Sequence, residues 1–507
     1  MGNTRLYFAA SVACLTAAFF GYSVGFIGGV LVLPSFLRHF DLYGLPPSET
    51  ASIQARLVLG WIVGAFFGVP LGIPACNRLG RRMCLNFSAV LYVLGAALQL
   101  ADLGLEGEKQ LGVFEVGRFL NGIGVGVGTI SEVSLPTTRG LLMGGFQVII
   151  QVSALVGFWG AFVSHAVIPS TSDLQWQIPV TIQLVPGAIL LLGTLFIPET
   201  PRYKAEKGQW EEAEDAISWL RGVPKSDHVV EDEIQEIRLT IQANARVQMM
   251  HQESFWTEIT KRGIRNRLGV GVGLMVAQNI VGLNALNYFS PIIFQSAGFT
   301  TVSSSLLLTG IFGVVKLLAA FAFMFYCVKT KGNRYWLQLG SGVCAISMLV
   351  LAYCVRSFPP QEEMHEGAIT VGGMVAVLMV YLFTFAFQIS LGPISWNVCG
   401  EIFPLHLNTK CCAITTCTQW LFQAALAAAT PFMLAWSGWL TYLIYGCCCI
   451  LTLAWIYLCV PETRDVPLGQ PMNEIFGMRD ADEAVIDECS ALLSNEHRRK
   501  ASIASLN

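Results

Sequence analysis

Long apolar stretches separated by short polar turns account for most of this chain. A helix needs about 20 predominantly apolar residues to cross a bilayer. Twelve such stretches lie at roughly 7–33, 55–76, 83–101, 111–130, 141–165, 177–197, 267–293, 303–328, 335–355, 371–399, 409–435 and 437–460. One interval differs. Roughly 198–266 is polar, with Glu211, Glu212, Glu214 and Asp215, then Glu231 through Arg238, at helical spacing. The pattern predicts an all-α membrane protein: an N-terminal six-helix bundle over 1–197, a cytosolic helical linker over 198–266, a C-terminal six-helix bundle over 267–460 and a cytosolic tail over 461–507.

Composition agrees. Of 507 residues 54% are hydrophobic and 13% are charged, whereas a soluble chain carries about 25% charged residues. Too few charges remain to solvate a globular surface, so much of the surface faces lipid. The net charge of −3 gives no reason to expect a nucleic-acid partner. Most of the 15 cysteines lie inside apolar runs, as at Cys411, Cys412 and Cys417 or Cys447 to Cys449, and read as small apolar fillers. None has metal-ligand spacing with accompanying histidines, and no cofactor is implied. The first stretch starts near Leu6 and is too long for a cleavable signal, so it is expected to be retained.

Basic residues gather in alternate short loops: Arg78, Arg81 and Arg82; Arg139; Lys329, Lys331 and Arg334. The opposite loops are acidic, with Asp102, Glu106 and Glu108, then Glu362, Glu363 and Glu366. Basic loops stay cytosolic, which places both termini there. The expected location is multi-pass in the plasma membrane. The halves also echo each other. Gly80-Arg81-Arg82 after span two matches Gly332-Asn333-Arg334 after span eight; Glu132, Pro136 and Arg139 match Glu401, Pro404 and Lys410; Pro198-Glu199-Thr200 matches Pro461-Glu462-Thr463. Three landmarks in one order indicate duplication of a six-span unit, with a site between the repeats near mid-membrane.

At these landmarks the chain resembles the sugar porter branch of the major facilitator superfamily, over essentially its whole length outside the two tails. The matching residues are Phe20-Gly21-Tyr22 with Gly28-Gly29, Gly117-Arg118, Ser131-Glu132 through Arg139-Gly140, and Pro198 through Arg202. In the second half they are Gly282-Leu283-Asn284 with Tyr288-Phe289, Gly392-Pro393 with Trp396, Gly400 through Pro404, and Pro461-Glu462-Thr463. Phe26 to Gly29 with Leu33 to Phe36, and Trp176 to Pro179, are similar to the fungal quinate permease subgroup. The resemblance implies the major facilitator fold and a transporter of a small hydroxylated solute, a hexose, polyol or quinate-like acid.

Polar side chains in lipid-spanning helices are costly and need a reason. Gln151, Gln278, Asn279, Asn284, Asn397, Gln419 and Gln423 carry amides, which donate and accept and so suit hydroxyl groups. Trp396 and Trp420 offer flat faces to the carbon side of a ring. The plainer reading is interhelical glue. The resemblance places Gln151, Gln278, Asn279, Asn284, Trp396 and Gln419 at substrate-binding positions, with Gln423 a further candidate; Asn279 stands where the family's second glutamine is usual.

For coupling, the resemblance pairs Arg118 with a span-one acid, whose place is taken here by Ser23. A serine cannot cycle between charged and neutral forms near neutral pH. Facilitated diffusion is therefore expected, or coupling through Glu115, one turn before Arg118; Glu115 could also simply neutralise it. Arg81, Arg82, Glu132, Arg139, Glu199, Arg202, Arg334, Glu401 and Glu462 match the family's inner gate, which holds the outward-open state through pairs between halves. Otherwise they are solvated loop charges worth little each. The gate is eroded at Asn77, Lys329, Asn333, His406 and Asn408, so a bias toward the inward-open state is expected. Lys316 on span eight is a cation with no obvious acid nearby. It either attracts a carboxylate such as that of quinate, snorkels, or pairs across helices.

Gly122, Gly124, Gly126 and Gly128 follow no strand and read as helix packing rather than a nucleotide loop. His165 is expected in an exofacial loop, and the Asn86 triplet on the cytosolic side, unglycosylated. Arg498, Arg499 and Lys500 precede Ser502 as a weak kinase site. The expected partners are the solute, protons as an open option, and the bilayer, with the chain a monomer. A solute sensor that has lost transport and an exporter of a specialised metabolite remain as rivals. No nucleophile, metal cluster or paired acids converge in the spans, which argues against an enzyme.

Overall fold

The computed structural model describes residues 4–102, 104, 107–133, 139–250, 255–296, 298–299, 301–358, 371–404, 407–464, 466 and 470–476, less the side chains of 47, 130–144, 146, 243–250, 470, 471 and 473. Glu106, Pro136, Glu362, Glu363, Glu366, His406 and the basic tail before Ser502 lie outside these residues, as do the side chains of Glu132 and Arg139.

Each expected span is occupied by helix. Span one is α1 (Thr4–Ala13) and α2 (Leu15–Val30), followed by a short α3 (Pro34–His39). Spans two to five are single rods, α4 (Pro47–Leu79), α5 (Arg81–Leu100), α6 (Glu108–Val133) and α7 (Arg139–Val167). Span six is α8 (Leu174–Thr181) and α9 (Leu184–Phe196). The polar interval folds as α10 (Pro201–Glu206), α11 (Trp210–Arg221), α12 (His228–Met250) and α13 (Phe255–Glu258). Span seven is α14 (Arg262–Ile280) and α15 (Leu283–Ser296); span eight is α16 (Val302–Ala322), a π-helical turn at Phe323–Cys327, and α17 (Val328–Thr330). Then come α18 (Asn333–Ser357), span ten as α19 (Val371–Gln388) and α20 (Leu391–Glu401), α21 (Asn408–Trp436), α22 (Gly438–Cys459) and a terminal α23 (Gln470–Phe476). The result is the expected twelve-helix membrane protein in two six-helix bundles. His165 belongs to the last turn of α7 rather than a loop, with Nε2 3.2 Å from Ser303 Oγ.

Ten of the twelve spans are apolar enough to cross a membrane by length and composition. The other two, α6 and α21, have 26 and 29 residues and are long enough. Their apolarity falls short because they turn polar faces inward: Arg118 and Asn121 on α6, and Gln419, Gln423 and Thr430 on α21, are all buried. The outer surface is apolar instead, with Phe67, Leu94, Leu192, Phe325, Leu382 and Leu458 exposed.

Spans seven and ten are broken near mid-membrane. Gly282 divides α14 from α15 at φ +97°, a conformation costly for any other residue. A Cβ there would also sit 2.7 Å from the Tyr445 ring. Span ten breaks at Ile389-Ser390, where Ser390 Oγ donates back to the Ala386 carbonyl at 2.5 Å. Such breaks free backbone groups and are tolerated where protein, not lipid, surrounds them.

The glycines of α6 pack as expected. Gly122 and Gly126 face the carbonyls of Trp61 and Ala65 on α4, while Gly124 and Gly128 face Ser88 on α5. Across the seam between bundles α4 meets α21, α2 meets α15, and α7 meets α16. The interval between the bundles has its own small core of Ala205, Ala213, Ile217, Val230 and Ile234. It is laced by Lys204–Glu212 at 2.6 Å, Lys225–Asp215 at 2.7 Å and an Arg221–Glu233 pair. Donating a hydrogen bond to the Asp215 carboxylate raises the pKa of the Lys225 ammonium.

Packing against α4 leaves no room at Gly126. Gly126→Val is expected to cost about 1–3 kcal/mol and to lower the melting temperature of the purified protein. Gly112→Ala, with open space around its Cβ, should leave it unchanged. Equal melting of the two variants would contradict this packing.

Candidate functional site

The break in span seven and the facing side of span eleven bring polar side chains to the centre of the second bundle. On α14, Gln278 and Asn279 end the helix just before the Gly282 break, and Asn284 opens α15. On α21, Gln419 and Gln423 are one turn apart and face the same way. These five amides bond to one another. Gln419 Oε1 accepts from Gln278 Nε2 at 2.8 Å and from Asn279 Nδ2 at 2.5 Å. Asn284 Nδ2 donates to Asn279 Oδ1 at 2.6 Å, and Gln419 Nε2 donates to Gln423 Oε1 at 3.2 Å. Gln423 Nε2 ends the chain on the Tyr288 hydroxyl at 2.5 Å. Tyr288 was not among the sequence candidates; its place four residues after Asn284, one helical turn on, was the available signal. Met275 joins as well, its sulfur 2.8 Å from Gln278 Nε2.

The first bundle faces this chain with fewer groups. Gln151 on α7 is buried, and its Oε1 has no hydrogen-bond partner among the described residues. Trp396 and Asn397 on α20 are half-buried, without hydrogen bonds to described side chains. Trp420 lies on the seam, edge-on to Trp61 with centroids 5.5 Å apart and to Phe20 at 5.6 Å. Its Nε1 is buried, with no hydrogen-bond partner among the described residues.

A second polar group lies wholly within the first bundle. Asn121 Oδ1 accepts from Ser23 Oγ at 3.2 Å and from Trp61 Nε1 at 3.1 Å, and Asn121 Nδ2 donates to the Tyr92 carbonyl. Ser23 Oγ is also 3.2 Å from Tyr92 OH. Arg118, one turn before Asn121, is fully buried. Its Nε donates to the Leu57 carbonyl at 3.2 Å and its guanidinium lies 5.4 Å from the Phe26 ring and 5.7 Å from the Trp61 ring. Among the described residues no carboxylate pairs with it. Glu115 turns to Arg56 instead, at 3.4 Å. Residues three apart share a helix face only approximately, and here the acid leaves toward α4 while the arginine turns into the bundle.

Among the described residues, Arg82, Glu199, Arg202, Arg334 and Glu462 form contacts within their own halves. Glu199 accepts from the backbone N–H of Arg81 at 2.8 Å and of Arg82 at 3.1 Å, and so caps α5. Glu462 does the same for Asn333 at 2.8 Å and Arg334 at 3.1 Å, capping α18. The two arginines reach matching carbonyls, Arg82 to Leu195 at 3.5 Å and Arg334 to Tyr457 at 2.6 Å. A Cβ at Gly80 or Gly332 would overlap the capping carboxylate. Arg202 pairs with Glu206 at 3.0 Å on the exposed face of α10. Glu401 is exposed at the end of α20. Glu199 and Glu462 therefore act as helix caps within their own halves. The macrodipole and the orphan N–H groups at a helix start favour an anion there.

Lys316 on α16 is buried, with Nζ 2.9 Å from Asn287 Oδ1. The rings of Phe158 and Phe312 lie 5.8 and 5.6 Å away.

With this geometry in place, the likenesses to known proteins are specific. The profile of a family described as "Sugar (and other) transporter" matches residues 9–476. The quinate permease of Emericella nidulans is 32% identical over 514 residues, covering 99% of this chain and 94% of that protein. The quinate permease of Neurospora africana is 32% identical over 502 residues, covering 96% and 92%. Among solved structures, the partially occluded inward open xylose transporter XylE from E. coli superposes with a TM-score of 0.73 at 24% identity, covering 92% of this chain and 100% of that one. At that identity the likeness concerns the fold.

Gln419 is the node of the amide chain. Gln419→Leu strands donors on two neighbours in a buried setting and is expected to cost about 1–3 kcal/mol of stability. It should show as an earlier thermal transition in detergent, and an unchanged transition would mean the amides do not depend on one another.

Proposed function

The chain belongs to the family of sugar and related transporters, and we propose that it moves a small polyhydroxylated solute, a hexose, polyol or quinate-like acid, by alternating access of its two bundles. One observation carries this reading: the five linked amides and Tyr288 satisfy one another at the broken centre of span seven. Each amide both donates and accepts, so solute hydroxyls can replace these bonds one for one. Gln151, with its free Oε1, supplies the matching acceptor from the other bundle. The names of the relatives favour an acid of the quinate type within this class. The basic loops support a cytosolic linker and cytosolic termini, with the plasma membrane as the proposed site of action.

The seam favours an inward-facing resting state. On the side away from the linker the halves interlock closely, Gly28 against the Tyr288 carbonyl, Gly310 against Trp159 and Gly313 against Leu155 and Phe158. On the linker side Glu199 and Glu462 are committed to caps within their halves. Nothing in span one can carry a proton to Arg118, and Glu115 is engaged by Arg56. Transport is therefore read as facilitated diffusion.

Two experiments test this. Labelled quinate, myo-inositol, xylose and glucose are offered to transporter-deficient yeast and to proteoliposomes. At least one should enter, and its uptake should change less than about twofold when the proton gradient is collapsed or Glu115 is changed to Gln. Uptake of none, with the protein confirmed at the cell surface, overturns the reading; stoichiometric proton entry abolished by Glu115→Gln overturns facilitated diffusion. For the resting state, Leu155→Cys with Gly313→Cys should cross-link under mild oxidation without solute and arrest uptake, because a Cβ at position 313 would lie 3.5 Å from the Leu155 Cα, an approach that suits a disulfide. Failure to cross-link, with the linker face shielded from reagents, would contradict an inward-facing state.

A further inference from the structure

Lys316 stands 14 residues into α16, and span eight continues for another 14 to Thr330. At 1.5 Å per residue its Cα is about 21 Å from either end. A four-carbon stem cannot bring the ammonium to either interface, so snorkelling is excluded. The side chain is 3% exposed and turns toward the seam, into contact with the ring of Phe158 from the other bundle. An ammonium has three donors. One goes to Asn287 Oδ1; among the described residues no acceptor takes the other two and no carboxylate lies within ion-pair reach. Two aromatic faces offset part of the desolvation, but a buried charge without a counter-ion is expensive. In a membrane interior such a residue marks a ligand path unless a protein partner neutralises it.

Its surroundings join it to the amide chain. Asn287 is three residues after Asn284, about 4.5 Å further along α15, and immediately precedes Tyr288, which receives Gln423. On the facing helix Phe158 is seven residues, two turns or about 10 Å, beyond Gln151. Lys316 therefore caps the end of the hydroxyl-binding array that lies away from the linker, at a distance a single substituted ring can span.

Resting on the reading of this array as the solute site, we propose that Lys316, positioned by Asn287, is the counter-ion for the carboxylate of the solute, so that the site selects hydroxylated monocarboxylates over neutral polyols and sugars. One carboxylate offers two acceptor oxygens for the two spare donors and one negative charge for one positive charge. A phosphate ester brings a second negative charge that nothing in the seat neutralises. The acid also provides locally the charge that a span-one carboxylate provides nowhere in this chain.

The test compares quinate with its primary carboxamide, which keeps the ring and every hydroxyl but is neutral. Binding is measured on the full-length protein in nanodiscs. The wild type should bind quinate at least about tenfold more tightly than the amide, as charge-assisted hydrogen bonds imply. In Lys316→Met the ratio should fall to about one. Asn287→Asp, nearly isosteric and therefore safe for folding, places a built-in carboxylate on Nζ and should collapse the ratio as well. A preference that survives both substitutions, or a wild type that binds acid and amide equally, overturns the assignment of Lys316 while leaving the hydroxyl site standing. Binding of neither probe by a protein that still unfolds cooperatively overturns the solute site itself, and Lys316 with it.

Discussion

A polar side chain inside hydrocarbon must find its partner within the protein, because lipid offers none. That constraint organises this molecule. Its amides are gathered where the break in span seven faces span eleven, and they bond in sequence from Asn284 to Tyr288. Each bond in such a chain is replaceable by a hydroxyl at little net cost, since one hydrogen bond is exchanged for another. A dry apolar lumen could not release its solute into water as easily, and an unsatisfied one would not be stable. The same interactions therefore hold the empty state together and prepare the site.

The buried cations show how differently this rule can be met. Arg118 is enclosed by a backbone carbonyl and two aromatic faces, within one bundle and beside the Asn121 cluster. A delocalised guanidinium tolerates such a setting better than a compact ammonium, which is more strongly hydrated. Lys316 also meets one acceptor and two aromatic faces, but one of those faces belongs to the other half, so it lies between the bundles. The first cation belongs to the architecture of one half, whereas the second is buried at the seam between the two.

The internal duplication has left a structural trace on the linker side. Glu199 and Glu462 cap the third helix of their respective halves in the same way, with glycine at the same place to make room. A carboxylate committed to two backbone N–H groups at a helix start is not free to form a strong pair with the opposite half. The caps rigidify each bundle as a body, which suits motion of one bundle against the other.

Twelve spans, the polar interval and the duplicated landmarks were legible in the chain because lipid imposes a length and a composition on any crossing helix. The packing role of Gly122 and Gly126 was legible for a similar reason, since their spacing puts them on one face. The breaks were not. Gly282 was visible as a residue, but neither its left-handed backbone nor the Tyr445 ring that leaves no room for a Cβ there, 163 positions away, could be read from its neighbours in sequence. Side-chain partners were beyond the sequence too: Glu115 sits one turn from Arg118 yet reaches Arg56, and Glu199 reaches the start of α5. Local spacing determines which face of a helix a residue occupies. Only the packing of helices distant in sequence decides what that face meets, and thereby which amides share a site and which cation comes to lie between the bundles.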